Sequence, residues 1–326
     1  MIELVINFPK QLEEAKNIAD KASIGKKSEI RNVVISGLGG SGIGGSIVTE
    51  LFAEQLNFPI TVNKDYFLPS FADNKSLVII SSYSGNTEET LSVLESALKK
   101  KCQIICVTSG GKVLEIAKQN QLEYIEIPGG FPPRSCIGYS LVQLIKIFEE
   151  KGIANNINFE DLNKAIDLLN TESENIKTEA KSIAQKLNRQ IPVIYCLGSN
   201  EGVAIRFRQQ INENAKALCW HHVFPEMNHN ELVGWTKKDD KLSVITLHTK
   251  SDYNRTQKRY EVCKPIFEKY AKEVIDIHSK GETKLQEYFY LIHLTDYISC
   301  YMADLAGVDP VEVNVIDFLK KELSKL

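Results

Sequence analysis

The sequence has no polybasic tract, no basic stretch followed by an apolar core at its N-terminus, and no run of about 20 uninterrupted apolar residues. The N-terminus therefore gives no indication of a secretory signal, and the lack of a long apolar run argues against a membrane span. The lack of a polybasic tract argues against nucleic acid as a partner. The net charge is −3, with acidic and basic residues interspersed. We therefore expect a cytoplasmic protein that acts on a small molecule, without nucleic-acid or membrane partners.

Paired cysteines are lacking as well. The seven cysteines are an odd number, scattered along the chain, and none has the CxxC spacing of a zinc site. Several lie in apolar runs, so free buried thiols are expected. The 326 residues are enough for two domains of common size, each with its own core.

A turn rich in hydroxyls lies between an apolar run at 77–80 and a helical pattern at 91–98. It contains Ser82, Ser84 and Thr87 as hydroxyl donors, and Gly85 permits close backbone approach. A helix N-terminus adds free N–H groups and partial positive charge. The turn therefore predicts a site for the phosphate of a small metabolite; the alternative is a helix that is merely capped by Thr87.

A glycine-rich turn at 37–42 follows the predicted strand 32–36 and satisfies the G-x-G-x-x-G pattern of nicotinamide-binding folds. Asp65 follows the glycine-rich turn at about the sequence separation expected of an acid that binds the ribose, but it does not lie cleanly at the end of a strand. A dinucleotide fold needs no phosphate site at the later serine-rich turn. The glycines are then expected to let the backbone approach the C1 and C2 end of a sugar.

The strand-turn-helix pattern occurs twice, because residues 192–202 parallel residues 32–40. Internal duplication is the simplest explanation. We predict an α/β fold with two lobes, each a parallel sheet flanked by helices. The predicted divisions are an N-terminal lobe over 1–152, a helical connection over 153–190 and a C-terminal lobe over 191–326.

Two candidate residues suit an aldose–ketose isomerase. Such an enzyme needs a carboxylate that moves a proton between adjacent carbons and a basic group that opens the sugar ring. Glu213, on a polar helix predicted over 203–218, and His229, in a loop predicted over 221–231, are the candidates. Arg134 lies in a loop rich in proline and glycine, where a solvated arginine is the alternative.

A metal site is the competing chemistry in the loop that contains His229. Its possible ligands lack the HxH or HExxH spacing of zinc sites, and adjacent side chains on an extended segment point apart. We therefore expect no metal ligands among His221, His222, His229 and Glu231.

The motifs Gly-Gly-Ser, Ser-Tyr-Ser-Gly-Asn-Thr, Pro-Arg, Asn-Glu-Asn and His-Asn-Glu together resemble those of the bifunctional phosphoglucose/phosphomannose isomerases. These are a sugar isomerase (SIS) domain branch of the phosphoglucose isomerase superfamily. The resemblance implies that Glu213 is the catalytic base, that Arg134 stabilises an enediolate, and that His229 and Lys320 assist ring opening. It also implies a phosphate site formed by Gly40, Ser41, Ser82, Ser84 and Thr87.

The implied reaction interconverts glucose 6-phosphate, fructose 6-phosphate and mannose 6-phosphate, without metal or organic cofactor. The implied assembly is a homodimer in which each active site takes His229 from the partner chain. One departure is Val313–Asn314, where dual-specificity members resemble one another in a small hydroxyl residue. A non-catalytic sugar-phosphate sensor and an aminosugar-phosphate isomerase or deaminase are the alternatives.

Overall fold

The computed structural model describes residues 1–25, 29–156 and 158–325, and within them the chain forms two parallel sheets. The first has the order β2-β1-β3-β4-β5. Its strands are β1 Asn32–Ser36, β2 Ile60–Asn63, β3 Ser76–Ser82, β4 Gln103–Thr108 and β5 Glu123–Glu126. The second has the order β7-β6-β8-β9, formed by β6 Ile191–Cys196, β7 Trp220–Val223, β8 Asp239–His248 and β9 Ala271–His278.

The two sheets repeat one arrangement. In each, the first strand lies between the second and the third, as β1 does between β2 and β3 and β6 does between β7 and β8. This shared topology agrees with the internal duplication inferred from the sequence, and the predicted α/β fold with two parallel-sheet lobes is confirmed.

Helices cover both sheets. Those of the first half are α1 Ile2–Ile6, α2 Phe8–Lys21, α3 Gly39–Leu51, α4 Glu88–Lys99, α5 Gly111–Gln119 and α6 Ile137–Glu150. Those of the second half are α7 Glu160–Thr171, α8 Ser173–Lys186, α9 Glu201–Ala215, α10 Asn254–Tyr270, α11 Lys284–Ala306 and α12 Asn314–Leu323. Short 3₁₀ turns include Pro133–Ser135 and Glu226–His229.

The prediction of a loop over 221–231 is wrong for its first three residues, which belong to β7 and pair with β6. This strand lies at the sheet edge and is half-buried, so its sequence mixes polar and apolar residues instead of forming an apolar run. The edge strand β2 has the same half-buried character.

One hydrophobic core joins the two sheets. It contains Ile35 of β1 and Ile194 of β6, and it includes much of α11, which is buried on nearly all sides. Helices α7 and α8, in the predicted connection, bury Leu162 and Ile176 in the same core. The connection thus contributes to the packing, and the divisions at 152 and 190 stay a prediction.

The terminal helix α12 differs from the other helices because it has no buried residue among 314–323. Its apolar side chains are largely exposed, with Val315 at 81%, Phe318 at 64% and Leu319 at 56% of their free surface. A contiguous exposed apolar surface of this kind is typical of a contact with another molecule.

Two compositional predictions can be compared with the structure. The seven cysteines are free, five of them are buried, and the expected unpaired thiols are therefore confirmed. Among the described residues, none of the helices combines the length and the apolar character that crossing a membrane requires.

Candidate active site

The two predicted turns lie at one edge of the first sheet. Strand β1 pairs with β3 in parallel, so their carboxyl ends meet at that edge. The chain leaves β1 into the N-terminus of α3 and leaves β3 into the loop before α4. Ligands of parallel α/β sheets bind at the carboxyl ends of the strands.

The serine-rich loop forms the N-terminus of α4. Ser82 is buried and its hydroxyl donates to Thr87 Oγ1 at 3.4 Å, while Ser84 is exposed. Thr87 occupies the N-cap position but its side chain makes no capping hydrogen bond. Gly85 has a φ of 66°, and a Cβ there would collide with the carbonyl oxygen of Gly110. The hydroxyl of Thr87 thus serves no capping role, which favours the phosphate hypothesis over simple capping.

Gly40 and Ser41 connect this loop to the turn of Arg134. Ser41 Oγ accepts the backbone N–H of Tyr83 at 3.0 Å, so Ser41 holds the start of the serine-rich loop. A Cβ on Gly40 would lie 3.2 Å from both Arg134 Cα and the carbonyl oxygen of Pro133. The glycine was expected to make room for a sugar; in the structure it makes room for the Arg134 turn.

Arg134 is buried, and the alternative of a solvated loop arginine is wrong. Its Nη1 lies 3.4 Å from Glu213 Oε2, and its Nε donates to Asn214 Oδ1 at 2.7 Å. Nη2 donates to the carbonyl oxygens of Pro310 and Val311, the latter at 3.1 Å. Burial lowers the pKa of the Arg134 guanidinium, and the Glu213 charge acts in the opposite direction. The fold thus brings together the predicted arginine and the predicted base.

Glu213 lies near the end of α9, where the helix ends sooner than predicted. Lys216 adopts a left-handed conformation with a φ of 55°, and its ammonium donates to the carbonyl oxygens of Glu213 and Glu312, both at 2.6 Å. Residues 310–312 therefore line the site through backbone carbonyls. Sequence reasoning missed this segment because a backbone carbonyl carries no residue-type signal.

His229 and Lys320 are not brought to this pair within one chain. His229 is exposed at the end of the 3₁₀ turn after β7, the edge strand, and Lys320 is exposed on α12. Across the described ranges, no hydrogen bond or ion pair links either residue to Glu213 or Arg134.

Three of the four side chains considered for zinc have other partners. His221 lies 3.6 Å from Glu201, and Glu231 accepts hydrogen bonds from Tyr195 at 2.6 Å and Trp220 at 3.1 Å. His222 Nδ1 accepts the N–H of Val223.

A different group, His248, Asp276 and His278, places its ligand atoms within 4.8 Å of one another. Its carboxylate is already bound by Lys264 at 2.6 Å and by the Tyr260 hydroxyl. Burial acts to raise the pKa of Asp276, but the hydrogen bonds from its neighbours outweigh burial and lower it. A cation at this group would have to displace the Lys264 ammonium.

The fold is shared with solved structures of distant sequence. The C-terminal domain of glucosamine-fructose-6-phosphate aminotransferase from Francisella tularensis matches with a TM-score of 0.76 over 96% of this chain and 98% of that chain, at 14% identity. At this identity the likeness shows the fold alone. Residues 176–323 match the family model described as the bacterial phospho-glucose isomerase C-terminal SIS domain. Fold and family model together define an SIS-type α/β protein.

Sequence relatives extend over the whole chain. It is 38% identical to the bifunctional phosphoglucose/phosphomannose isomerase of Caldicellulosiruptor bescii, over 100% of this chain and 99% of that protein. It is 36% identical to the protein of the same name from Aquifex aeolicus, over 90% of this chain and 91% of that protein. The chain belongs to the bifunctional phosphoglucose/phosphomannose isomerase family, and the resemblance stated from the motifs is confirmed.

Proposed function

We propose that this chain interconverts glucose 6-phosphate and fructose 6-phosphate, and also mannose 6-phosphate, by moving a proton between C1 and C2. The observation that supports this proposal most directly is the 3.4 Å contact between Arg134 Nη1 and Glu213 Oε2. Gly40 and Ser41 connect this pair to the serine-rich loop, which is the proposed phosphate site. A sugar anchored there by its phosphate can therefore reach both side chains. The curated relatives bear the matching name.

In the proposed mechanism, Glu213 takes the C2 proton and returns it to C1 through a cis-enediolate. A positioned base contributes about 10²- to 10⁴-fold to the rate. Arg134 supplies a fixed positive charge where the enediolate develops negative charge. The phosphate site, formed by Gly40, Ser41, Ser82, Ser84 and Thr87, keeps the open chain oriented. Proton transfer of this kind requires no metal or organic cofactor.

We also infer a two-fold homodimer with shared active sites. His229 projects from an edge of the second sheet, away from any contact with Glu213, and Lys320 lies on a helix with no buried residue. His229 suits a partner chain's site, where, with Lys320 assisting, it opens the ring. The exposed apolar surface of α12 supplies area for such an interface. A cytoplasmic location and the absence of nucleic-acid and membrane partners stay predictions.

The reaction is tested by coupled assays with three sugar phosphates. Glucose 6-phosphate and mannose 6-phosphate should both yield fructose 6-phosphate, and glucosamine 6-phosphate should yield neither fructose 6-phosphate nor ammonia. Release of ammonia would support an aminosugar deaminase instead. Binding without turnover of any of the three would support a sugar-phosphate sensor.

Substitutions in the serine-rich loop should affect substrate binding more than turnover. Ser84→Ala and Thr87→Ala each remove a hydroxyl donor to a charged group that is present in ground and transition states alike. KM should rise by the equivalent of about 1 to 3 kcal/mol, with kcat nearly unchanged. Ser96→Ala, on α4 but away from its N-terminus, is the control. A fall in kcat at constant KM would mean that the loop takes part in the chemistry.

A further inference from the structure

The polar face of α9 is buried and does not face solvent. Arg206, Gln210 and Asn214 recur at helical spacing, and each is at most 1% exposed. They face α11, where Asp296 and Ser299 are also buried. The proposed reaction uses Glu213 of this helix and leaves the other polar side chains without a role.

Asn214 connects Arg134 to α11. Its Oδ1 accepts from Arg134 Nε at 2.7 Å, and its Nδ2 donates to Ser299 Oγ at 2.9 Å. Ser299 Oγ in turn donates to the carbonyl oxygen of Asp296 at 2.7 Å. A side-chain amide has an acceptor oxygen and a donor nitrogen, so it can accept on one side and donate on the other. Because Arg134 can only donate, the orientation of the Asn214 amide is determined by this contact.

The backbone of Arg134 is held separately. Arg206 Nη2 donates to the Arg134 carbonyl oxygen at 2.9 Å and pairs with Asp296 at 2.6 Å. Gln210 donates to the other oxygen of Asp296 at 2.8 Å. Loss of the Asn214 side chain would therefore leave the Arg134 turn in place and affect the guanidinium alone.

We propose that Asn214 is a positioning residue that sets the plane of the Arg134 guanidinium beside Glu213. Nε is held by Asn214 and Nη2 by the carbonyl of Val311. Without Asn214, Nη2 would keep its bonds to the carbonyls of Pro310 and Val311, and Nη1 would keep its 3.4 Å contact with Glu213. Nε would be released, so the guanidinium could tilt about the edge formed by Nη1 and Nη2. This inference rests on the proposed function, in which Arg134 must meet the enediolate.

A double-mutant cycle tests the proposal by comparing Asn214→Ala in the wild-type and Arg134→Ala backgrounds. In the wild-type background, kcat should fall by about 10- to 100-fold, with the KM for fructose 6-phosphate nearly unchanged, because a small misplacement of a catalytic group has this effect. In the Arg134→Ala background, the same change should alter kcat by less than about twofold, since the group that Asn214 positions is gone.

The control is Asn212→Ala, which removes a hydrogen bond to the carbonyl of Ala217 but none to Arg134. Its effect on kcat should be the same factor in both backgrounds. If Asn214→Ala also has equal effects in both backgrounds, or leaves kcat unchanged, the positioning role is overturned. A wild-type kcat for Arg134→Ala alone would overturn the role of Arg134 in the reaction, and the positioning role with it.

Ser299→Ala is a second test of the same role, for use if Asn214→Ala does not fold. It preserves the bond between Asn214 and Arg134 but removes the other partner of the amide. With one anchoring hydrogen bond lost, kcat should fall by about 3- to 10-fold at unchanged KM. A wild-type kcat in folded Ser299→Ala would then overturn the proposal.

Discussion

Replacing Glu213 with glutamine is expected to lower kcat by about 10²- to 10⁴-fold while sugar-phosphate binding survives. Glutamine keeps the shape of the side chain and an oxygen that can accept from Arg134, but it is no longer a base. Turnover is measured with fructose 6-phosphate in a coupled assay, and binding is measured by calorimetry.

Glu268→Gln is the control for this experiment, because Glu268 is exposed on α10 and makes none of the contacts that join Arg134 to α9. It should retain wild-type turnover. Near-normal turnover in Glu213→Gln would remove Glu213 from the role of the proton-transferring base. Loss of binding together with turnover would mean that Glu213 holds the substrate and not only its proton.

Mixed dimers of Glu213→Gln and His229→Ala chains are expected to recover activity that neither parent has. In the shared-site proposal, each site combines Glu213 of one chain with His229 of the other. Random assembly of equal amounts makes about half of the dimers mixed, and each mixed dimer has one intact and one doubly defective site. Roughly a quarter of wild-type activity should therefore return after co-refolding.

The matched control pairs Glu213→Gln with Arg134→Ala. These two residues contact each other within one chain, so no mixed dimer contains an intact site and no activity should return. If verified mixed dimers of the Glu213 and His229 variants stay inactive, both residues belong to one chain's site. Recovery in the control mixture would contradict the arrangement of Arg134 and Glu213 seen here.

Local patterns were sufficient for much of the fold. The apolar run at 77–80, the helical spacing after it and the glycine turns are properties of neighbouring residues, and they correctly predicted β3, α4 and the duplicated strand-turn-helix units. The edge strands β2 and β7 were missed because half-buried strands need no apolar run. The predicted end of α9 was also wrong, because Lys216 leaves the helix to bind carbonyls that include that of Glu312.

The sequence by itself determined most of the elements, the serine-rich loop and the residue types, including Arg134 and Glu213, that an isomerase requires. Only the tertiary structure decided which of them meet. Arg134 lies 79 residues from Glu213 in sequence and 3.4 Å from it in space. Asn214 and Val311 hold Arg134 there through an amide and a backbone carbonyl. Such contacts follow from the packing of α9, α11 and the Arg134 turn, and local periodicity shows which face a helix has but not which partner covers it.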